Sequence, residues 1–184
     1  MKTIVLMGNP NVGKSVVFSR LTDTHVIVSN YPGTTVEVFK GILALDGHET
    51  ANVIDAPGVY SLIPTCKADE VAVEVLKQAD VVINVIDATT LERNLLLTLE
   101  LIETGKPLVM ALNMWDETQH RGIAIQPEAL EQLLKIPVIP TVALTGEGIN
   151  DLVKRLGTAY PPQKPTVSTE DDKWQAIGHI TRTV

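Results

Sequence analysis

Cysteine is nearly absent from this chain of 184 residues: Cys66 stands alone, so no internal disulfide can form. That leaves the redox compartment open, though consistent with cytosol. Histidine is scarce too, and His25, His48, His120 and His179 are scattered. Neither an H-E-x-x-H pair nor a Cys/His cluster occurs, so the sequence does not support a dedicated transition-metal site. No apolar run approaches the ~18–20 residues needed to span a bilayer. The start, MKTIVLMGNP, is broken too early by Gly and Pro for a signal peptide, so the chain as given is expected to be soluble. Basic charge is in deficit, with 15 Lys and Arg against 22 Asp and Glu, a net −7 that argues against nucleic acid as the main partner.

What the chain does contain is apolar: 45% of residues are hydrophobic and 20% charged, enough for one globular domain with a sizeable core. Apolar runs alternate with helix-period segments, the mark of a parallel α/β sheet covered on both faces. Strands are predicted at Thr3–Met7, Ala79–Ile86, Leu108–Leu112 and Pro137–Pro140. Helices are predicted at Lys14–Leu21, Ala68–Gln78, Leu91–Thr104, Pro127–Leu134 and Ile149–Ala159. Val36–Leu45 and Thr50–Asp55 flank the turn signal Asp46-Gly47-His48-Glu49 and read as an antiparallel hairpin. Thr24–Thr35, with Asn30, Pro32 and Gly33 and no clear period, reads as a loop. Pro161-Pro162-Gln163-Lys164-Pro165 reads as a linker and Glu170–Thr183 as a final polar helix.

Gly8-Asn9-Pro10-Asn11-Val12-Gly13-Lys14-Ser15 fits G-x-x-x-x-G-K-[ST], with a strand before it and a helix after. The two glycines allow a tight loop whose N–H groups cradle phosphate at the positive end of a helix. Lys14 is expected to reach the β- and γ-phosphates, and the Ser15 hydroxyl to ligate Mg²⁺. Asn113-Met114-Trp115-Asp116 follows a strand where a guanine-reading N-K-x-D loop would lie. An ionised Asp116 only accepts hydrogen bonds, which suits the N1–H and 2-amino group of guanine and not adenine. Asn113 is expected to hold neighbouring loops and touch N7, while Met114, in place of lysine, can cover the purine face. Val142-Ala143-Leu144 occupies the position of a third base loop, where the Ala143 amide could donate to O6.

Asp55-Ala56-Pro57-Gly58 fits D-x-x-G: Asp55 is expected to act on Mg²⁺ through a water and the Gly58 amide to meet the γ-phosphate. In Gly33-Thr34-Thr35 one threonine should give its hydroxyl to Mg²⁺, with Thr35 favoured over Thr34. Val59 stands where a water-orienting glutamine is common, and valine cannot orient water. Asn11 is then a candidate to recruit a monovalent cation that offsets charge between the phosphates; the alternative is that it only shapes the loop.

Together GNPNVGKS, SNYPGTTVE (Ser29–Glu37), DAPGVYSL (Asp55–Leu62), the run Val85–Pro107 and NMWDE (Asn113–Glu117) resemble the N-terminal G domain of ferrous iron transport protein B over roughly residues 1–160. The resemblance implies an α/β P-loop NTPase G domain: a mostly parallel six- or seven-stranded sheet with one antiparallel edge hairpin and helices on both faces. It implies residues 1–160 as the G domain, 161–169 as a linker and 170–184 as the start of a helical segment. It further implies GTP hydrolysis with Mg²⁺, potassium stimulation through Asn11, and a role in ferrous iron uptake at the cytoplasmic face of the membrane. Helical and transmembrane transport domains, attached or separate, are the implied partners, and a homo-oligomer is allowed. The chain departs from the pattern at Val142, often serine in relatives. Two other readings remain: an RNA- or ribosome-associated assembly GTPase, and a nucleotide-dependent signalling module with little turnover.

Overall fold

The structure, a computed structural model, describes residues 1–22, 26–45, 49–162 and 170–184, with backbone alone at 170 and 171. Residues 46–48 of the hairpin turn expected at Asp46–Glu49, most of the expected linker, His25 and His48 fall outside the described residues. Among the described residues seven strands form one sheet in the order β2-β3-β4-β1-β5-β6-β7. They are β1 (Lys2–Met7), β2 (Ile27–Asn30), β3 (Glu37–Ala44), β4 (Thr50–Asp55), β5 (Val81–Asp87), β6 (Leu108–Asn113) and β7 (Val138–Pro140). The five strands β4, β1, β5, β6 and β7 run parallel, whereas β2, β3 and β4 pair antiparallel. The mostly parallel sheet with its antiparallel part agrees with the expectation, at the upper of the two strand counts.

Period-2 alternation in the central strands divides the core into two layers. Val5 and Met7 of β1 and Leu108, Met110 and Leu112 of β6 enter one layer. Ile4, Leu6, Val109 and Ala111 enter the other. A strand buried on both faces favours apolar residues at successive positions, which is why β1, β5 and β6 read as near-continuous hydrophobic runs. The buried Asn84 interrupts β5, its Oδ1 accepting from the Thr98 hydroxyl at 2.7 Å. The first layer is closed by α2 (Lys67–Lys77), α3 (Leu91–Glu103), α5 (Pro127–Leu134) and α7 (Glu170–Thr183), through Val71, Leu95, Leu130 and Ile177 among others. The second is closed by α1 (Lys14–Leu21) and α6 (Ile149–Leu156), through Val17, Phe18, Leu152 and Leu156.

Two elements differ from the expectation. Ile27–Asn30, expected within a loop, is the edge strand β2, pairing Ile27 with Lys40 and Asn30 with Glu37. All four of its residues are exposed, so the strand leaves no alternation to read and rests on backbone pairing. The one-turn helix α4 (Trp115–His120) buries only Thr118, and so shows no apolar stripe. Among the described residues no helix is long and apolar enough to cross a membrane.

Candidate nucleotide site

The loop 8–13 joins the end of β1 to the start of α1, at the C-terminal edge of the parallel strands, where α/β sheets place their ligands. Two glycines decide its shape. Gly13 has φ 83°, and a Cβ there would stand 2.4 Å from the Asn113 side-chain amide. A Cβ on Gly8 would stand 2.3 Å from the Val85 carbonyl oxygen. Gly13 starts α1 with no side-chain cap and no acidic residue in the first turn, which leaves the helix's positive end to a ligand. A cavity of about 330 Å³ opens there, lined by Asn9, Pro10, Asn11, Lys14, Ser15 and Gly58, among others.

Below the loop, β4 delivers Asp55 beside α1. The buried Lys14 ammonium donates to Asp55 Oδ1 and to the Ala56 carbonyl. Ser15 Oγ donates to Asp55 Oδ2 at 2.8 Å. A hydroxyl and a carboxylate in contact form an oxygen donor set suited to Mg²⁺, which takes few protein ligands beside substrate phosphates. Among the described residues no group of three or more His, Cys, Asp or Glu could hold a metal. The Val59 amide donates to the Gly8 carbonyl at 3.1 Å, so the segment carrying Ala56, Pro57 and Gly58 lies directly against the phosphate loop. Val59 itself is a core residue.

Asn113, at the end of β6, joins three loops. Its Nδ2 donates to the Val12 carbonyl at 2.9 Å, while Oδ1 accepts from the Ala143 amide at 3.0 Å and the Thr141 hydroxyl at 3.3 Å. Asn113 thus bonds to the loops on either side of it, and the Ala143 amide, expected to serve guanine O6, is here donated to Asn113. Met114 has φ 59° and places its methyl 4.0 Å from where a Gly13 Cβ would stand. Asp116 follows it in the first turn of α4, and Trp115 packs on the core. Val142 is buried, and its amide donates to the Glu147 carbonyl at 3.0 Å; Leu144 is exposed. Arg20 donates to the carbonyls of Ala143 and Leu144 and so holds this third loop to α1. Nothing in the sequence singled out Arg20 or Thr141, because both act through main-chain or side-chain contacts made across the fold.

The Gly33-Thr34-Thr35 loop is set apart from the phosphate cavity. Tyr31, Pro32, Gly33 and Thr34 border a groove with Pro64 and α2. The Thr34 hydroxyl donates to the Tyr31 carbonyl at 2.9 Å and accepts from the Val36 amide at 3.2 Å, shaping the turn. Thr35 is exposed.

With that geometry in place, residues 2–156 match the family model described as ferrous iron transport protein B. The chain belongs to the ferrous iron transport protein B family. A Fe(2+) transporter FeoB of Legionella pneumophila (strain Paris) is 44% identical over 162 residues, covering 85% of this chain and 21% of that protein. The chain spans about a fifth of the length of the curated relatives it matches. The cytosolic domain of L. pneumophila FeoB superposes with a TM-score of 0.86 at 41% identity, over 92% of this chain and 68% of that one. A mutant of S. thermophilus NFeoB bound to GDP superposes at 0.81 with 40% identity, over 88% and 63%. The FeoB fold in this chain thus holds phosphate-loop, D-x-x-G and N-x-x-D residues at one edge of one sheet.

Proposed function

We propose that this chain binds and hydrolyses GTP as the G domain of a ferrous iron transport protein, on the cytoplasmic face of a membrane. The observation that carries the reading is the convergence of Lys14, Ser15, Asp55 and Asn113 around loop 8–13, with Asn113 coupling base loop to phosphate loop. Similarity to a GDP-bound relative supports guanine as the base. In this reading Lys14 leaves Asp55 for the β- and γ-phosphates, and Asp116 accepts from guanine N1–H and the 2-amino group. Ser15, Thr35 and Asp55 are the residues that would hold Mg²⁺, Asp55 by way of a water, and the ion would supply charge neutralisation at the phosphates. Gly58 presents its amide to the γ-phosphate, and closure of the Gly33–Thr35 loop over the nucleotide makes the chain a switch. Residues 170–184 begin the helical segment that links this switch to transport domains.

Asn11 is the residue that we assign to potassium. It is exposed beside the phosphate cavity, and its φ of 66° turns the loop there. Asparagine tolerates that left-handed backbone better than most residues, so a shaping role must be separated from an ion-binding one. Asn11→Gly does so, since glycine keeps the backbone and deletes the carbonyl. Phosphate release from GTP is expected in K⁺ and at least about tenfold slower in Na⁺ or in Asn11→Gly. Equal rates in the two salts, or a glycine variant that keeps its potassium response, would remove the ion from the reading.

A further inference from the structure

Glu100 is a carboxylate in the middle of the apolar helix α3, only 8% exposed, and no nucleotide chemistry has so far used it. Its two oxygens face the segment that follows Gly58. Oε1 accepts from the Ser61 hydroxyl at 2.9 Å and Oε2 from the Leu62 amide at 2.6 Å. The Ser61 oxygen in turn accepts from the Ile63 amide at 3.1 Å, so one carboxylate fixes three consecutive residues. Two helical turns earlier on α3, and hence on the same face, Arg93 donates to the Tyr60 hydroxyl at 3.1 Å. The guanidinium also lies 4.9 Å from the centre of that ring. Asn9 of the phosphate loop donates to the Arg93 carbonyl at 3.3 Å.

The geometry points to Glu100 as a positioning residue for GTP hydrolysis: it clamps Ser61 and Leu62 to α3 and so fixes where Gly58 stands over the phosphate loop. This rests on the GTPase reading above. The helix is a firm base for such a clamp, because Ile177 and Ile180 of α7 enter the same core layer and Lys173 pairs with Glu103 at 2.9 Å. The upstream end of the segment is already held, by the Ala56 amide on the Leu6 carbonyl and the Val59 amide on Gly8. Glu100 supplies the downstream hold. A carboxylate suits this place because both oxygens accept; a leucine would remove both acceptors, whereas a glutamine could still accept from the Leu62 amide and donate to the Ser61 oxygen.

Glu100→Leu in the full chain tests this, with Ser61→Ala, which leaves the Leu62 bond intact, as a second variant. Amide hydrogen exchange at Leu62, read without nucleotide, should speed up about tenfold in Glu100→Leu and stay near wild type in Ser61→Ala. GDP affinity should stay within about twofold, since the phosphate and base loops are untouched. The kcat for GTP should fall roughly tenfold with little change in KM. Unchanged Leu62 exchange, unchanged kcat, or GDP affinity falling in step with kcat would each overturn the assignment. A wild-type chain without turnover would sink the GTPase reading instead, while the Leu62 exchange still decides whether the clamp exists.

Discussion

Lys14 and Asp55 meet with side chains only 10% and 3% exposed, so each charge depends on the other and on the hydrogen bonds around them. Breaking such a pair from one side leaves a buried charge without compensation. Lys14→Met is therefore expected to destabilise the nucleotide-free protein by about 3 kcal/mol, measured by urea unfolding. A Met variant as stable as the wild type would mean that the pair is not what fixes β4 against α1. At this scale the phosphate-loop residues were legible because their chemistry demands fixed types at fixed spacing. The same fixed spacing singled out Asn113. Glu100 left a weaker signal, a charge inside the run LLLTLELIE, whose partners in the chain lie 38 and 39 residues away. Arg20 left none, since a surface arginine looks the same whether or not it grips a loop.

Among the elements, α2 shows how a local motif sets a helix start. The Asp69 carboxylate accepts from the Thr65 hydroxyl at 2.7 Å, the Thr65 amide at 2.8 Å and the Cys66 amide at 3.2 Å. The Thr65 hydroxyl first, then the Thr65 amide, holds this carboxyl below its usual range, while partial burial pushes the other way. A lowered folded pKa means that the cap is fully present above the ordinary aspartate range near 4 and is lost as pH falls through the folded value. Amide shifts of Thr65 and Cys66 should therefore titrate together below about pH 4, and Asp69→Asn should abolish that titration. Titration unchanged in the variant would assign it to another group. The helix itself was legible from its apolar period, and β2 was not, because an edge strand exposed on both sides carries no such period.

The last helix makes a different point. Read alone, Glu170–Thr183 is polar, yet Ile177 and Ile180 are buried against the core, and the Val184 carbonyl accepts from the Gln126 amide at 3.1 Å. Two apolar residues three apart are enough to dock one turn, but too few to announce a core helix in sequence. Ile177→Ala should cost about 2–4 kcal/mol in urea unfolding. A cost near zero would show that α7 does not share the fold's stability.

Taken as a whole molecule, the sheet brings five separate stretches of chain to one edge. Loop 8–13, Asp55–Gly58 and Asn113–Asp116 follow the C-terminal ends of β1, β4 and β6; Val142–Leu144 follows β7, and α3 begins just past β5. Parallel strands make this possible, since each delivers its following loop to the same side. That the sheet is mostly parallel was legible because alternating strands and helices leave few topologies open; the order of its strands was not read. What stayed hidden was the coupling between the loops, which depends on distances across the sheet that no spacing in the chain records. The central claim is a site selective for guanine nucleotide, and competition against a fluorescent GDP analogue in Mg²⁺ tests it most directly. GDP and GTP are expected to displace the analogue at least about a hundredfold more tightly than ADP and ATP, because an adenine would leave Asp116 without donors. Equal displacement by adenine nucleotides, or no binding of the analogue at all, would contradict it.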